Sequence, residues 1–68
     1  MYTIYDSPTD YPGKFVVRRW EIDKGPAVPK ETLAVKDSLI EARLAVPVGL
    51  VRVDRSPGDD PVIVETWL

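Results

Sequence analysis

The chain contains neither cysteine nor histidine. Without cysteine it cannot form a disulfide and offers no thiolate to a metal ion. Without histidine it lacks both the commonest metal ligand and the commonest general base near neutral pH. We therefore expect a protein that is not an enzyme, with no catalytic residue, no cofactor and no metal site.

Long hydrophobic runs are also missing, and no stretch approaches the length that crosses a bilayer. The first residues, Met1–Asp6, lack the basic and apolar regions of a signal peptide. The absence of cysteine fits a reducing compartment. We expect a cytoplasmic protein without membrane contact.

Excess positive charge is absent as well. The 68 residues carry a net charge of -2, with 44% hydrophobic and 29% charged residues, which is ordinary for one folded domain spanning residues 1–68. Because nucleic-acid affinity rests on neutralising phosphates, this balance argues against such a partner. An alternative hypothesis, a nucleic-acid-associated regulator, depends on the arginines of the predicted strands. These are Arg18, Arg19, Arg52 and Arg55.

The first half of the chain predicts an arm, a strand and a loop. Residues 1–13 form an N-terminal arm, a short extended piece followed by proline-rich turns. Residues 14–22 are rich in β-branched and aromatic types and predict a strand. Phe15 and Val17 share one of its faces, and the other face carries Val16, Arg18, Trp20 and Ile22. Residues 23–30, with Gly25 and two prolines, predict a loop.

A short helix is predicted next. Ser38 and Glu41 have the spacing of a capping box, which indicates a helix over 39–46 that ends before Pro47 and Gly49. Its buried face contains Leu39, Ala42, Arg43 and Val46. A longer helix from residue 31 is the alternative, but it has two opposed apolar stripes, one of them formed by Leu33, Ile40 and Leu44. We prefer the short helix with residues 31–37 irregular or extended.

The last third predicts a hairpin of two strands, 50–55 and 62–67, joined by a turn-rich loop at 56–61. Alternation places Val51 and Val53 inward, and likewise Val62 and Val64. The fold class is therefore α+β, a small three- to four-stranded, mainly antiparallel sheet with one short helix packed on one face. Residues 14–68 form the sheet and helix.

The same alternation gathers arginine and tryptophan on the sheet face away from the helix. We expect this face to bind a partner, which we take to be a protein, and to carry Arg18, Trp20, Arg52, Glu65 and Trp67. The competing interpretation is structural, with cross-strand pairs that only stabilise the sheet, or with the tyrosine-rich arm folded over it. The sequence is compatible with a monomer or a weak homodimer.

Other polar residues indicate turns rather than chemistry. Ser7, Ser38 and Ser56 lie where a turn or a helix cap favours serine. The spacing of the carboxylates Asp54, Asp59, Asp60 and Glu65 does not match that of an EF-hand calcium loop. The glycines are scattered and form no phosphate-binding loop. We therefore assign no ligand to these residues.

Two segments, YDSPTDYPGKFVVRRW at 5–20 and GLVRVDRSPGDDPVIVETWL at 49–68, together with SLIEAR at 38–43, resemble a family of small uncharacterised bacterial and bacteriophage proteins. The resemblance covers more than half of the chain. It implies a bacterial or phage source and a small stand-alone domain, and it carries no activity, cofactor or site residue.

Overall fold

A computed structural model describes residues 1–21, 25 and 28–68, with side chains for all of these except 28–30. The described part is an α+β fold made of an antiparallel sheet and one short helix. Its elements are β1 (Tyr2–Asp6), β2 (Phe15–Glu21), β3 (Val28–Lys36), α1 (Leu39–Ala45), β4 (Arg52–Asp54) and β5 (Ile63–Trp67). The strand order in the sheet is β3-β2-β1-β5-β4.

The first strand lies at the centre of this sheet. β1 pairs with β2 on one side and with β5 on the other. The extended piece predicted at the start of the N-terminal arm is therefore confirmed as extended, but it belongs to the sheet and not to an arm outside it. Ile4 is fully buried toward the helix, while Thr3 and Tyr5 are buried on the opposite face. Both faces of β1 are therefore covered. Its sequence consequently lacks the alternation of polar and apolar residues that is typical of a strand with one face in solvent.

The third strand includes residues for which the sequence predicts a loop or an irregular segment. Residues 31–36 are extended within β3, in agreement with the preference for a short helix, but the strand already begins at Val28. The predicted loop at 23–30 is thus wrong for 28–30, and residues 22–24 and 26–27 lie outside the described residues. With β1 and β3 included, the sheet has five strands rather than three or four.

The predicted helix is confirmed, and its start is fixed by Ser38. The Ser38 hydroxyl accepts a hydrogen bond from the Glu41 backbone N–H and donates one to the Glu41 carboxylate, each 3.2 Å long. Ala42 and Val46 then pack against Ile4 and Val17 to form the core. The helix therefore covers one face of the sheet, which we call the helix face; the opposite one is the distal face.

Candidate functional site

The five residues predicted to share one face are divided between two. Residues opposite each other on paired strands point to the same side of a sheet. Arg18 is opposite Thr3 and lies over the Tyr5 ring, 5.3 Å from its centroid, so Arg18 and Trp20 occupy the distal face as expected. The other three residues, Arg52, Glu65 and Trp67, belong to the helix face.

A β-bulge in β5 explains this correction. Tyr5 is opposite Ile63 but Ile4 is opposite Glu65, which leaves Val64 as an additional residue. A bulge lets two successive residues oppose one, and it reverses the alternation beyond it. Val64 and Glu65 consequently both lie on the helix side. The faces of β4 follow from its pairing with β5. Val53 is opposite Thr66, which lies on the distal face, so the Val53 side chain does not point inward as predicted.

Glu65 is the best-connected polar group of the helix face. Its side chain is only 3% exposed. Arg43 donates from Nη2 to Oε1 at 2.8 Å and from Nε to Oε2 at 3.0 Å, and the Trp67 indole donates to Oε2 at 2.8 Å. Burial raises the pKa of Glu65, but the hydrogen bonds from Arg43 and Trp67 outweigh it and hold that pKa below its ordinary value of 4.5. This carboxylate fastens α1 to β5.

The distal face is partly covered by the β1–β2 loop. Pro8 of this loop is buried, and the Asp10 carboxylate accepts a hydrogen bond from Arg18. Val16, in the middle of β2, is fully buried on this side of the sheet. The predicted competing interpretation, in which N-terminal residues fold over Arg18, thus describes this face better than a fully open binding surface does.

A cavity of about 280 Å³ remains between the loop and the sheet, lined in part by Tyr5, Arg18 and Asp60. Burial raises the pKa of Tyr5, and the neighbouring Trp20 and Arg18 lower it by less. The Trp20 indole N–H lies close enough to the Tyr5 hydroxyl to lower its pKa, but it does not form a hydrogen bond with it. Within the described residues, Trp20 Nε1 and Arg18 Nε have no hydrogen-bond acceptor.

The outer edge of β3 is a second candidate, and the hydrogen-bond pattern shows which amides it exposes. Met1 and Trp20 exchange backbone hydrogen bonds, so the even-numbered residues of β2 bond β1 and the odd-numbered ones bond β3. Val17 therefore bonds Ala34, and the intervening Val35 directs its N–H and C=O away from the sheet. No described strand pairs with this edge.

A groove runs beside that edge. Because Arg43 reaches across the sheet to Glu65, the opposite flank of α1, with Glu41 and Ala45, faces the β3 edge. A cavity of about 220 Å³ lies along this flank and is lined by Lys36, Glu41, Leu44 and Ala45. Leu44 is 80% exposed. An edge strand and a helix flank thus border one shallow groove.

The sequence alone does not predict this groove, although it contains one signal of an exposed apolar surface. Leu33, Ile40 and Leu44 formed the apolar stripe that had no core to pack against in the longer-helix alternative. All three are exposed in the structure, Ile40 by 69%. Large aliphatic residues that find no place in a small core are candidates for contact with another molecule.

The remaining polar residues have local roles. Ser7 donates to Asp6 and accepts from the Gly13 N–H, and the Ser56 N–H is bound by the Asp59 carboxylate. Asp60 accepts from the Val62 N–H. Across the described residues, no group of three or more carboxylates is placed to hold a metal ion.

Comparison of the chain with protein-family models, with curated proteins and with solved structures finds no match. Along the described ranges, no helix has the length and apolar character needed to span a bilayer.

Proposed function

We propose that this chain is a non-enzymatic, cytoplasmic protein-binding module that accepts an extended segment as a sixth strand at the outer edge of β3. The observation that carries the proposal is the outward-directed backbone of Val35 on a nine-residue edge strand that borders a helix-flanked groove. Strand addition of this kind uses main-chain hydrogen bonds for affinity and adjacent pockets for specificity.

The two edges of the sheet are not equivalent. β4 has only three residues, and very short edge strands are one way in which proteins prevent unwanted pairing. β3 is three times as long, and its residues Thr32–Val35 are uncharged, with Leu33 42% and Val35 38% exposed. A long, partly apolar edge is the one that favours an added strand.

The groove supplies what the backbone alone does not. Alternate side chains of an added strand would point to the helix face, where Leu44 and Ala45 offer an apolar wall and Lys36 and Glu41 a polar rim. We expect a ligand with a small or medium apolar residue at that position. Bulky residues at that position would clash with the flank of α1.

The arginines support a protein partner over a nucleic acid. Arg18 forms an ion pair with Asp10, and Arg19 forms one with Glu31. The Nε atom of Arg52 lies 3.7 Å from Oδ1 of Asp54. Carboxylates next to the cations reduce the field that a phosphate backbone would meet. A phosphate-driven interaction would in addition weaken steeply with salt, which the binding measurements below test directly.

Peptides selected from a displayed random library against the folded protein provide a defined probe. Val35→Pro removes the outward N–H while leaving the inward hydrogen bonds of Ala34 and Lys36 in place, and proline is tolerated at such edge positions. We expect this variant to bind the selected peptides at least tenfold more weakly, with affinities that change little between low and moderate salt.

Two matched variants control for fold and site. Val35→Thr keeps the amide, and Arg52→Pro makes the same change on β4, where Val51 bonds Leu68 and the Arg52 amide consequently faces outward. Both should bind like wild type, and circular dichroism should show all three variants folded. Equal peptide affinity of Val35→Pro and wild type would refute the proposal. So would selected peptides that leave the Val35 amide unprotected from hydrogen exchange.

A further inference from the structure

The charges around the exposed edge have a self-complementary order. The segment Lys30–Asp37 carries positive and negative charges at 30 and 31, four uncharged residues, and positive and negative charges again at 36 and 37. If two copies of this segment run antiparallel about the midpoint between Leu33 and Ala34, residue 31 is opposite residue 36. The Glu31 carboxylate of each copy then faces the Lys36 ammonium group of the other.

The backbone favours the same register. Val35 directs its amide outward, and Thr32, which follows the inward-bonding Glu31, does so by the same alternation. These two residues are three positions apart because the register shift next to Arg18 inserts Leu33. The register that places Glu31 opposite Lys36 therefore also places Thr32 opposite Val35 of the second copy. The outward-directed backbone N–H and C=O groups of the two strands then face each other.

Two copies joined in this way are related by a two-fold axis perpendicular to the sheet, which puts both helices on one side. The main strand contacts of α1 are with β3 and β2. If its axis lies above the space between them, it is about one strand spacing, roughly 5 Å, from the two-fold axis. The two helices would then be about 10 Å apart, which is a normal packing distance. The flank that carries Leu44 and Ala45 would face its counterpart.

We infer that the strand which β3 accepts is β3 of a second copy of this chain, in an isologous antiparallel dimer with a continuous sheet. The inference rests on the proposed function, because it assigns an occupant to the same edge. Glu31 already accepts a 3.0 Å bond from Arg19, and Lys36 of the second copy would become its second partner. The interface is small, so we expect a weak, concentration-dependent dimer.

Sedimentation velocity over a range of protein concentrations tests this directly. Glu31→Lys places two lysines opposite each other at both ends of the pairing, and Lys36→Glu does the same with glutamates. Each variant alone should dimerise at least tenfold more weakly than wild type, because like charges directly opposite each other destabilise strand pairs. An equimolar mixture of the two restores all opposed charges and should form a heterodimer with about wild-type affinity.

The mixture separates pairing from any loss of fold, since both of its components carry a substitution. Val35→Pro should abolish dimerisation and Arg52→Pro should not. A wild-type chain that stays monomeric at millimolar concentration, or a mixture that dimerises no better than its components, would overturn the second copy as occupant. Peptide binding at β3 would then decide the proposed function separately. A dimer that Val35→Pro leaves intact but Arg52→Pro or Leu44→Lys dissociates would also overturn the inference.

Discussion

Glu65→Gln is the substitution whose cost the structure specifies best. The buried carboxylate accepts three hydrogen bonds from two cationic or polar side chains, two from Arg43 and one from Trp67. Glutamine has one oxygen and one amino group at the same positions. It can keep the Trp67 bond and one arginine bond, but its amino group then faces a guanidinium donor instead of accepting from it.

The expected destabilisation is about 2 kcal/mol, because hydrogen bonds to charged groups contribute about 1.5–3 kcal/mol each and a donor would be left unpaired. A chain of this size has a total stability on the order of 3–5 kcal/mol, so roughly half of it would be lost. The melting temperature should fall by about 10 °C. Urea denaturation followed by far-ultraviolet circular dichroism measures the free-energy change without relying on tryptophan fluorescence.

Glu31→Gln is the matched control. It makes the same chemical change in the Arg19–Glu31 pair, where the Glu31 side chain is 57% exposed, and exposed pairs of this kind contribute little, typically under about 1 kcal/mol. If Glu65→Gln destabilises the protein no more than Glu31→Gln does, Glu65 does not fasten α1 to β5 and the account of the helix face fails.

Three further predictions concern the same framework. The lowered pKa of Glu65 means that its contribution to stability is present above about pH 4.5, the ordinary pKa of the group, and is lost as the pH falls through the lower folded-state pKa; denaturation midpoints measured from pH 7 to pH 3 should therefore decline in acid, and less steeply in Glu65→Gln. Ser38→Ala removes the hydroxyl that caps α1 and should cost about 1 kcal/mol, which an unchanged urea midpoint would contradict. Ile4→Ala should cost about 3 kcal/mol because Ile4 is fully buried; a loss below about 1 kcal/mol would mean that β1 is not central to the sheet.

The helix and β2 were predictable because each has a local signal that tertiary structure does not alter. The Ser38–Glu41 spacing fixes where α1 begins, and the β-branched residues of β2 specify a strand whichever neighbours it has. The faces of β2 were also predicted correctly, since Val17 lies toward the helix and Arg18 away from it.

Two of the wrong predictions have distinct physical causes. The sequence does not identify β1 as part of the sheet because a strand buried on both faces shows no alternation of polar and apolar residues. Glu65 and Trp67 were placed on the wrong face because the β5 bulge at Val64 reverses parity, and nothing local in Val62-Ile63-Val64 marks a bulge. The alternation of side chains along a strand predicts the face of a residue only as far as the nearest register shift.

The candidate site was the least predictable feature. An exposed edge is a property of sheet order, and β3 is outermost because, among the described strands, it pairs with β2 alone. The exposed aliphatic residues and the charge order of residues 30–37 were both present in the sequence. Their meaning depends on an edge that the sequence alone did not define.

Hydrogen exchange at the Val35 amide tests the central claim most directly. In the monomer at low concentration, this amide should exchange rapidly although it lies within a strand, whereas the neighbouring Ala34 amide, bonded to Val17, should exchange slowly. Raising the protein concentration or adding a selected peptide should slow exchange at Val35 and leave Ala34 little changed. A Val35 amide that is as protected as Ala34 in the monomer, or that stays unprotected when a ligand is bound, would contradict strand addition at β3.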